Sequence, residues 1–328
     1  MELLNSAINN VRDILGAGAN PPPTPFVFRT DVSILWPKSR ASQPLLLMGA
    51  IQQGFISQRA LDIVEGLYRH RYLSRVQLVE MFFSKVSKDR SRDALKKVEH
   101  WGLVGSMRYK RLEKELPLRT YLLDRGGADI LKMYHGREMR DWRFEMNLKS
   151  YEYILRILAA NEVFLRFLRL GRQIAKKDND EPEDGAFFFE AEPTLMLSDK
   201  PHHYLMPTAR FVFRRDGKEI PFFIEVLRGS NAFLYLSAKL AKYEEYYKIF
   251  PLAAGNRPVT IFLAETDSAL LKIDEMMRIF RYENLKPFAR YTTDRFLAEH
   301  LLAEAFCKVV DRKLDVAPFK ILSDAFQG

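Results

Sequence analysis

Glu225 is the only carboxylate in the apolar run from Ile220 to Leu227. A metal-dependent phosphodiesterase on such a framework holds Mg²⁺ between an acid at the start of its middle strand and a second acid on the next. A lysine two residues later positions or activates water. This chain places Thr208 at the first acid and Leu227 at the third group, so Glu225 alone keeps its expected type. Lys239 or Lys242 on the following helix, and Glu190 or Glu192 upstream, are the side chains able to stand in. The ligand count favours a site that has lost catalysis, with no metal and no cofactor; Mg²⁺ enters only if the chain is an active endonuclease. A carboxylate inside a sheet is costly unless paired, and Arg228, Lys239 and Tyr243 are the partners within reach.

The second chemical signal is a concentration of positive charge. The 328-residue chain carries a formal charge of +9. Between Ser84 and Glu115 ten Lys and Arg face five acids, so more than half of the excess lies in about a tenth of the length. Lys88, Arg90, Arg92, Lys96, Lys97 and His100 fall in one helical segment; Arg108, Lys110 and Arg111 fall in the strand after it. Wound at about 100° per residue, that helix puts Ala94, Leu95, Val98 and Trp101 on one side and Arg92, Lys96 and His100 on the other, with Asp93 at the edge. A basic helix face of this kind contacts phosphates and base edges in the major groove, and a basic ribbon reaches the flanking backbone.

These residues need elements to hold them. The helical stripe Ala60, Leu61, Ile63, Val64 and Leu67 predicts a first helix capped by Ser57. Ser74 opens a second, with Val76, Leu78, Val79 and Phe82 inward, after a turn short enough to force a steep helix–helix corner. The third starts at Ser87 and stops at Gly102. Residues 103–111 and 119–124 then read as two strands joined by a charged tip. Three helices and a ribbon describe a winged helix-turn-helix, closed by a helix over GGADILKMYHG.

A long helix is expected from Asn147 to Leu170, then a solvated acidic loop over KKDNDEPEDG, three strands (GAFFFEAEP, TARFVFRR and IPFFIEVL, the last two around an Asp216-Gly217 turn), a helix, a strand and a helix. That order describes an α/β core with a mixed central sheet, and is shared by restriction-endonuclease-like folds. Ahead of everything stand an amphipathic helix, Glu2 to Leu15, and the stiff connector PPPTP; residues 26–47 carry no clear pattern.

Other chemistry recedes. His202 and His203 are neighbours whose side chains point apart on a strand, without a third metal ligand. Cys307, in the helical-looking LLAEAFCKVV, reads as a small core residue. GAGAN lacks the strand and the Gly-Lys-Ser/Thr of a phosphate loop. No run reaches membrane-spanning length and no signal peptide opens the chain, so a cytoplasmic protein without membrane association is expected.

From about Ile56 to Ile249 the sequence resembles the replication-relaxation family of plasmids and other mobile elements. The resemblance rests on the order of Gln77-Leu78, Trp101-Gly102-Leu103, Tyr121-Leu122-Leu123, Trp142 and Asn161-Glu162. It continues through Pro207, Phe222 to Val226, Arg228-Gly229-Ser230, Lys239-Leu240 and Tyr243. The family's usual Pro-Asp is Pro207-Thr208 here, and its Glu-Val-Asp is Glu225-Val226-Leu227.

The chain is thus expected to divide into an N-terminal helix and linker (1–55), a winged helix DNA-binding domain (56–140), and a restriction-endonuclease-like α/β domain (141–328) that has lost catalysis. The expected function is sequence-specific binding of double-stranded DNA in replication, relaxosome-type processing or transcriptional regulation. A homodimer and a replication or relaxase partner protein are the expected associations. An active metal-dependent endonuclease and a non-enzymatic scaffold remain the alternatives.

Overall fold

The computed structural model describes residues 33–38, 42–84, 86–110, 119–134, 142–177, 185–215, 218–228, 233, 235–249, 257–299, 305–310 and 313–316. The expected N-terminal helix and its connector, the ribbon tip with Arg111, the acidic run 178–184 and the Asp216-Gly217 turn lie outside them.

The N-terminal half is built from β1 (Ser33–Leu35), α1 (Pro44–Gln52), α2 (Gln58–His70), β2 (Tyr72–Ser74), α3 (Arg75–Phe83), α4 (Lys88–His100), β3 (Val104–Lys110), β4 (Thr120–Leu123) and α5 (Arg125–Tyr134). Serine hydroxyls start α2, α3 and α4. Ser57 accepts from Ala60 N at 3.4 Å, and Ser87 from Arg90 N at 3.5 Å. Ser74 forms a reciprocal box with Gln77, 3.2 Å one way and 3.1 Å the other. Each such cap is worth about 1 kcal/mol. At the end of α4, Gly102 adopts φ +67°, a left-handed turn that suits glycine, and the chain enters β3.

Ala60, Leu61, Ile63, Val64 and Leu67 are all buried as their spacing predicts, together with Leu78, Leu95 and Val98. Two expectations fail here. Val76 is 69% exposed, because the capping geometry turns Gln77 inward instead, where its Nε2 donates to Leu158 O at 2.8 Å. The corner between α2 and α3 is not a bare turn: Tyr72–Ser74 is a strand paired antiparallel to β4. Three residues are too few to show a period of two, so only pairing reveals it. β1 pairs with β3, completing a four-stranded antiparallel sheet in the order β1-β3-β4-β2. The unpatterned residues 26–47 thus supply a strand, and α1 buries Leu47 and Ala50 in the same core as α2 and α5.

The second half follows through a 3₁₀ turn (Phe144–Asn147) and α6 (Tyr151–Lys177), which begins and ends later than its hydrophobic pattern indicates. Then come β5 (Gly185–Ala191), the small hairpin β6 (Leu195–Met196) and β7 (Tyr204–Leu205), β8 (Ala209–Arg215), β9 (Lys218–Leu227), α7 (Leu236–Ile249), β10 (Val259–Ala264), α8 (Asp267–Ile279), β11 (Ala289–Thr293), α9 (Asp294–Glu299), β12 (Cys307–Val310) and β13 (Lys313–Val316). Cys307 is buried as expected, but in a strand rather than a helix; pairing with Tyr291 and Val316 fixes it there.

The sheet has seven strands in the order β13-β12-β11-β10-β9-β8-β5. β9, β10 and β11 run parallel through the crossovers α7 and α8, and the remaining pairs are antiparallel. The mixed α/β sheet is therefore present as expected. Alternation along β9 divides its two faces: Phe222, Ile224 and Val226 meet α6, while Phe223 and Leu227 join the cluster of α7 and α8. The α6 cluster also takes in Tyr72, Met107 and Leu122, so one helix packs against both sheets.

Candidate functional site

The basic face lies on α4. Lys88, Arg90, Arg92, Lys96, Lys97 and His100 are all exposed, and so are Asp89 and Asp93. Ser91, Leu95 and Val98 are buried beneath them, with Ala94 and Trp101 half-buried at the margin. Arg92 lies 3.2 Å from Asp89 and 3.8 Å from Asp93. Exposed pairs of this kind contribute little to stability, so the guanidinium can exchange a carboxylate for a phosphate at small cost. On the ribbon Arg108 is exposed and Lys110 ends β3.

Sequence reasoning missed the residue that fixes helix to ribbon. Arg119, at the foot of β4, donates to both oxygens of Glu99 on α4 (2.8 and 2.9 Å) and to Ser106 Oγ on β3 (3.0 Å). With Nη2 on the helix carboxylate and Nε on the ribbon hydroxyl, one guanidinium ties α4 to the ribbon through charge-assisted hydrogen bonds. Arg119 and Glu99 are twenty residues apart, and no local pattern joins them.

The Glu225 site lies on the other face of the sheet from α6. Glu225 is 2% exposed and saturated with donors. Oε1 takes Lys239 Nζ at 2.7 Å and Thr208 Oγ1 at 3.1 Å; Oε2 takes the Tyr243 hydroxyl at 3.0 Å. Burial, and then the Glu225 charge, hold the Tyr243 phenol well above its ordinary pKa, so it remains a donor. Thr208 Oγ1 also accepts from Val226 N at 3.2 Å, which makes it a strand-to-strand clasp.

Of the expected partners, Lys239 and Tyr243 arrive and Arg228 does not. Its side chain is fully buried and pairs with Asp294 at the start of α9, because it leaves β9 beyond the last paired residue. Lys242 lies over the Tyr204 ring instead. Glu190 pairs with Arg210, and Glu192 with Tyr153, Arg71 and Arg156. Tyr153 and Arg156 belong to α6, so the Glu192 carboxylate is on the opposite face of the sheet from Glu225 and cannot join it. Leu227, 5% exposed, belongs to the apolar cluster under α7. These residues do not fit a divalent ion: the Glu225 carboxylate is paired with an ammonium, and among the described residues no second acid hydrogen-bonds or pairs at this site. Among the described residues no group of three or more His, Cys, Asp or Glu is placed to hold a metal, and no helix is long and apolar enough to cross a membrane.

Among the described histidines, His203 and His70 have structural partners. His202 takes a left-handed φ of 61° in the turn before β7. His203 bridges Ser198 (2.7 Å) and Glu245 (3.0 Å), tying the small hairpin to α7. His70, at the end of α2, is buried, stacked on Phe189 at 4.1 Å, and donates from Nδ1 to Asn161 Oδ1 at 2.8 Å. Desolvation there lowers its pKa to about 4. Asn161 in turn donates to Tyr72 O at 2.6 Å, so α2, β2, α6 and β5 meet at one buried junction.

A family model described as replication-relaxation matches residues 65–260, more than half of the chain. Comparison with curated proteins and with solved structures gave no significant match.

Proposed function

Since the chain belongs to the replication-relaxation family, we propose that it is a sequence-specific double-stranded-DNA-binding protein acting in plasmid or mobile-element replication or DNA processing. In this reading residues of the N-terminal half form a winged helix, α4 is the helix that enters the major groove, and the ribbon with Arg108 and Lys110 reaches the flanking phosphates. The observation that carries it is the exposed basic face of α4, locked to the ribbon by Arg119 and Glu99. Local charge and rigid presentation together are what groove recognition requires.

The C-terminal domain, in the same proposal, is a nuclease-like scaffold without catalysis. Support comes from the Lys239 ammonium on Glu225, the threonine at position 208 and the leucine at 227. Its surfaces then serve assembly, with a second copy of the chain or with a replication or relaxase partner.

The deciding experiment is a genome-wide binding footprint in a host carrying the element, followed by nuclease protection on the recovered sites. Discrete protected sites at an origin, a transfer origin or a promoter support the proposal and select the role. Uniform, sequence-independent occupancy counts against it.

A further inference from the structure

A cleft of ≈ 640 Å³ opens at the seam between the two halves, lined by the end of α2, by β5 and by Arg210 of β8. That size lies within the range of ligand pockets, about 300–1,000 Å³. Five non-glycine residues among those described have positive φ, and three of them line this cleft: Arg71 (60°), Phe188 (52°) and Glu192 (50°). Bulky residues seldom take this conformation, and where it persists the surroundings must enforce it.

The cause at Phe188 is a bulge. The register of β5 against β8 shifts between Phe187 and Glu190. Phe188 is thereby turned out and 44% exposed, while Phe189 next to it is buried. A phenyl ring that would gain by burial is instead held at the mouth of a cleft. Arg69 and Arg210 lie over the ring in cation–π contact, their guanidinium carbons 5.8 and 5.1 Å from its centroid, so a base entering the cleft stacks on the ring by displacing them toward its phosphate. Tyr68, 38% exposed, and the half-buried Trp142 add aromatic surface.

The charges are held yet accessible. Arg69 pairs with Glu65 at 2.9 Å, Arg71 with Glu192 at 3.3 Å, and Arg210 with Glu190 at 2.7 Å. Each of these three arginine side chains keeps about a third of its surface exposed (34, 35 and 35%). An exposed ring beside fork-shaped cations is the combination that stacks an unpaired base and holds its phosphate.

We infer that this cleft binds an unstacked nucleotide, with Phe188 as the stacking platform and Arg69, Arg71 and Arg210 as the phosphate contacts. The ligand is a stretch of single-stranded DNA or a free nucleotide, which share this chemistry. The inference rests on the DNA-binding function proposed above and adds a second, single-strand site to it.

The test uses the full chain and three probes in fluorescence anisotropy: a labelled mixed-sequence single-stranded 20-mer, the same sequence as duplex, and unlabelled dTMP and dAMP as competitors. Wild type should bind the single strand. In Phe188→Ala that affinity should fall about 5- to 150-fold, the range for losing one stacked base, and in Phe188→Trp it should be retained. Duplex binding should be the same in all three proteins. Competition by dTMP or dAMP assigns the site to free nucleotides, and its absence to the strand.

Equal single-strand affinity in wild type and a folded Phe188→Ala overturns the inference; so does intact duplex binding without any single-strand or nucleotide binding. If wild type binds no duplex at all, the DNA-binding proposal itself fails. Should Phe188→Ala not fold, photocrosslinking of an iodouracil-substituted single strand to wild type decides. Adducts at Tyr68, Trp142 or Phe188 support the site, and adducts confined elsewhere overturn it.

Discussion

Lys239 Nζ lies 2.7 Å from Glu225 Oε1, so an ammonium takes the place of the positive charge that a buried carboxylate requires. The two partners are unequally buried, at 2% exposure for Glu225 and 27% for Lys239, and this sets the order of two mutational costs. Lys239→Met leaves a buried carboxylate without its cation and should cost about 3 kcal/mol. Glu225→Gln leaves an ammonium able to turn to water and should cost about 1–2 kcal/mol. Urea titrations of both variants check the order. In parallel, the wild type should leave supercoiled DNA un-nicked with Mg²⁺ or Mn²⁺; metal-dependent nicking abolished by Glu225→Gln would establish an endonuclease.

Reversing charge at Arg92 and Lys96 together should abolish site-specific binding and leave the fold intact, because both are exposed on α4 opposite Leu95 and Val98. Each lost base contact should cost about 1–3 kcal/mol, and each lost phosphate contact should flatten the salt dependence by about one unit. Anisotropy titrations at several salt concentrations measure both. Unchanged affinity in a folded double variant removes α4 from the interface.

His70 gives the chain a pH-dependent stability. Its pKa is lowered from 6.5 to about 4 in the folded state, chiefly by burial. The unfolded chain therefore binds the extra proton first. The contribution is fully present above about pH 6.5 and is lost as pH falls toward 4, on the order of 3 kcal/mol across the window. Denaturation midpoints measured through that window should fall with pH, and the slope should be shallower in His70→Gln. Parallel slopes in the two proteins would place the titration elsewhere.

A single helix-and-ribbon module reads a short site, and pairing two of them at one helical-turn spacing lengthens it. The protein is expected to be a homodimer, free and on DNA. Light scattering of the free protein and of its complex should give the mass of two chains, and a monomer in both states refutes the expectation.

Much of the local structure was legible because it rests on near neighbours. Ser57, Ser74 and Ser87 announce three helices through capping that spans three residues, and the stripe from Ala60 to Leu67 is buried as its period demands. The strands Phe211 and Phe222 belong to and the helix–strand alternation after β9 also follow from patterns in the chain, whereas the choice of Lys239 over Arg228 as the cation on Glu225 does not.

What the sequence left open depends on partners far along it. Tyr72–Ser74 is a strand only because β4 lies beside it, and Val76 is exposed only because Gln77 reaches Leu158. Arg119 meets Glu99, Arg228 turns to Asp294, and Cys307 joins the sheet between β11 and β13 through contacts that no local period encodes. Phe188 is the clearest case: GAFFFEAEP reads as a strand, and the bulge against β8 that turns the middle phenylalanine outward is visible only once the two strands pair. Local propensity and periodicity fix which residues are helical, extended or apolar. Long-range packing decides which side chains meet, since those distances exist only after the chain has folded.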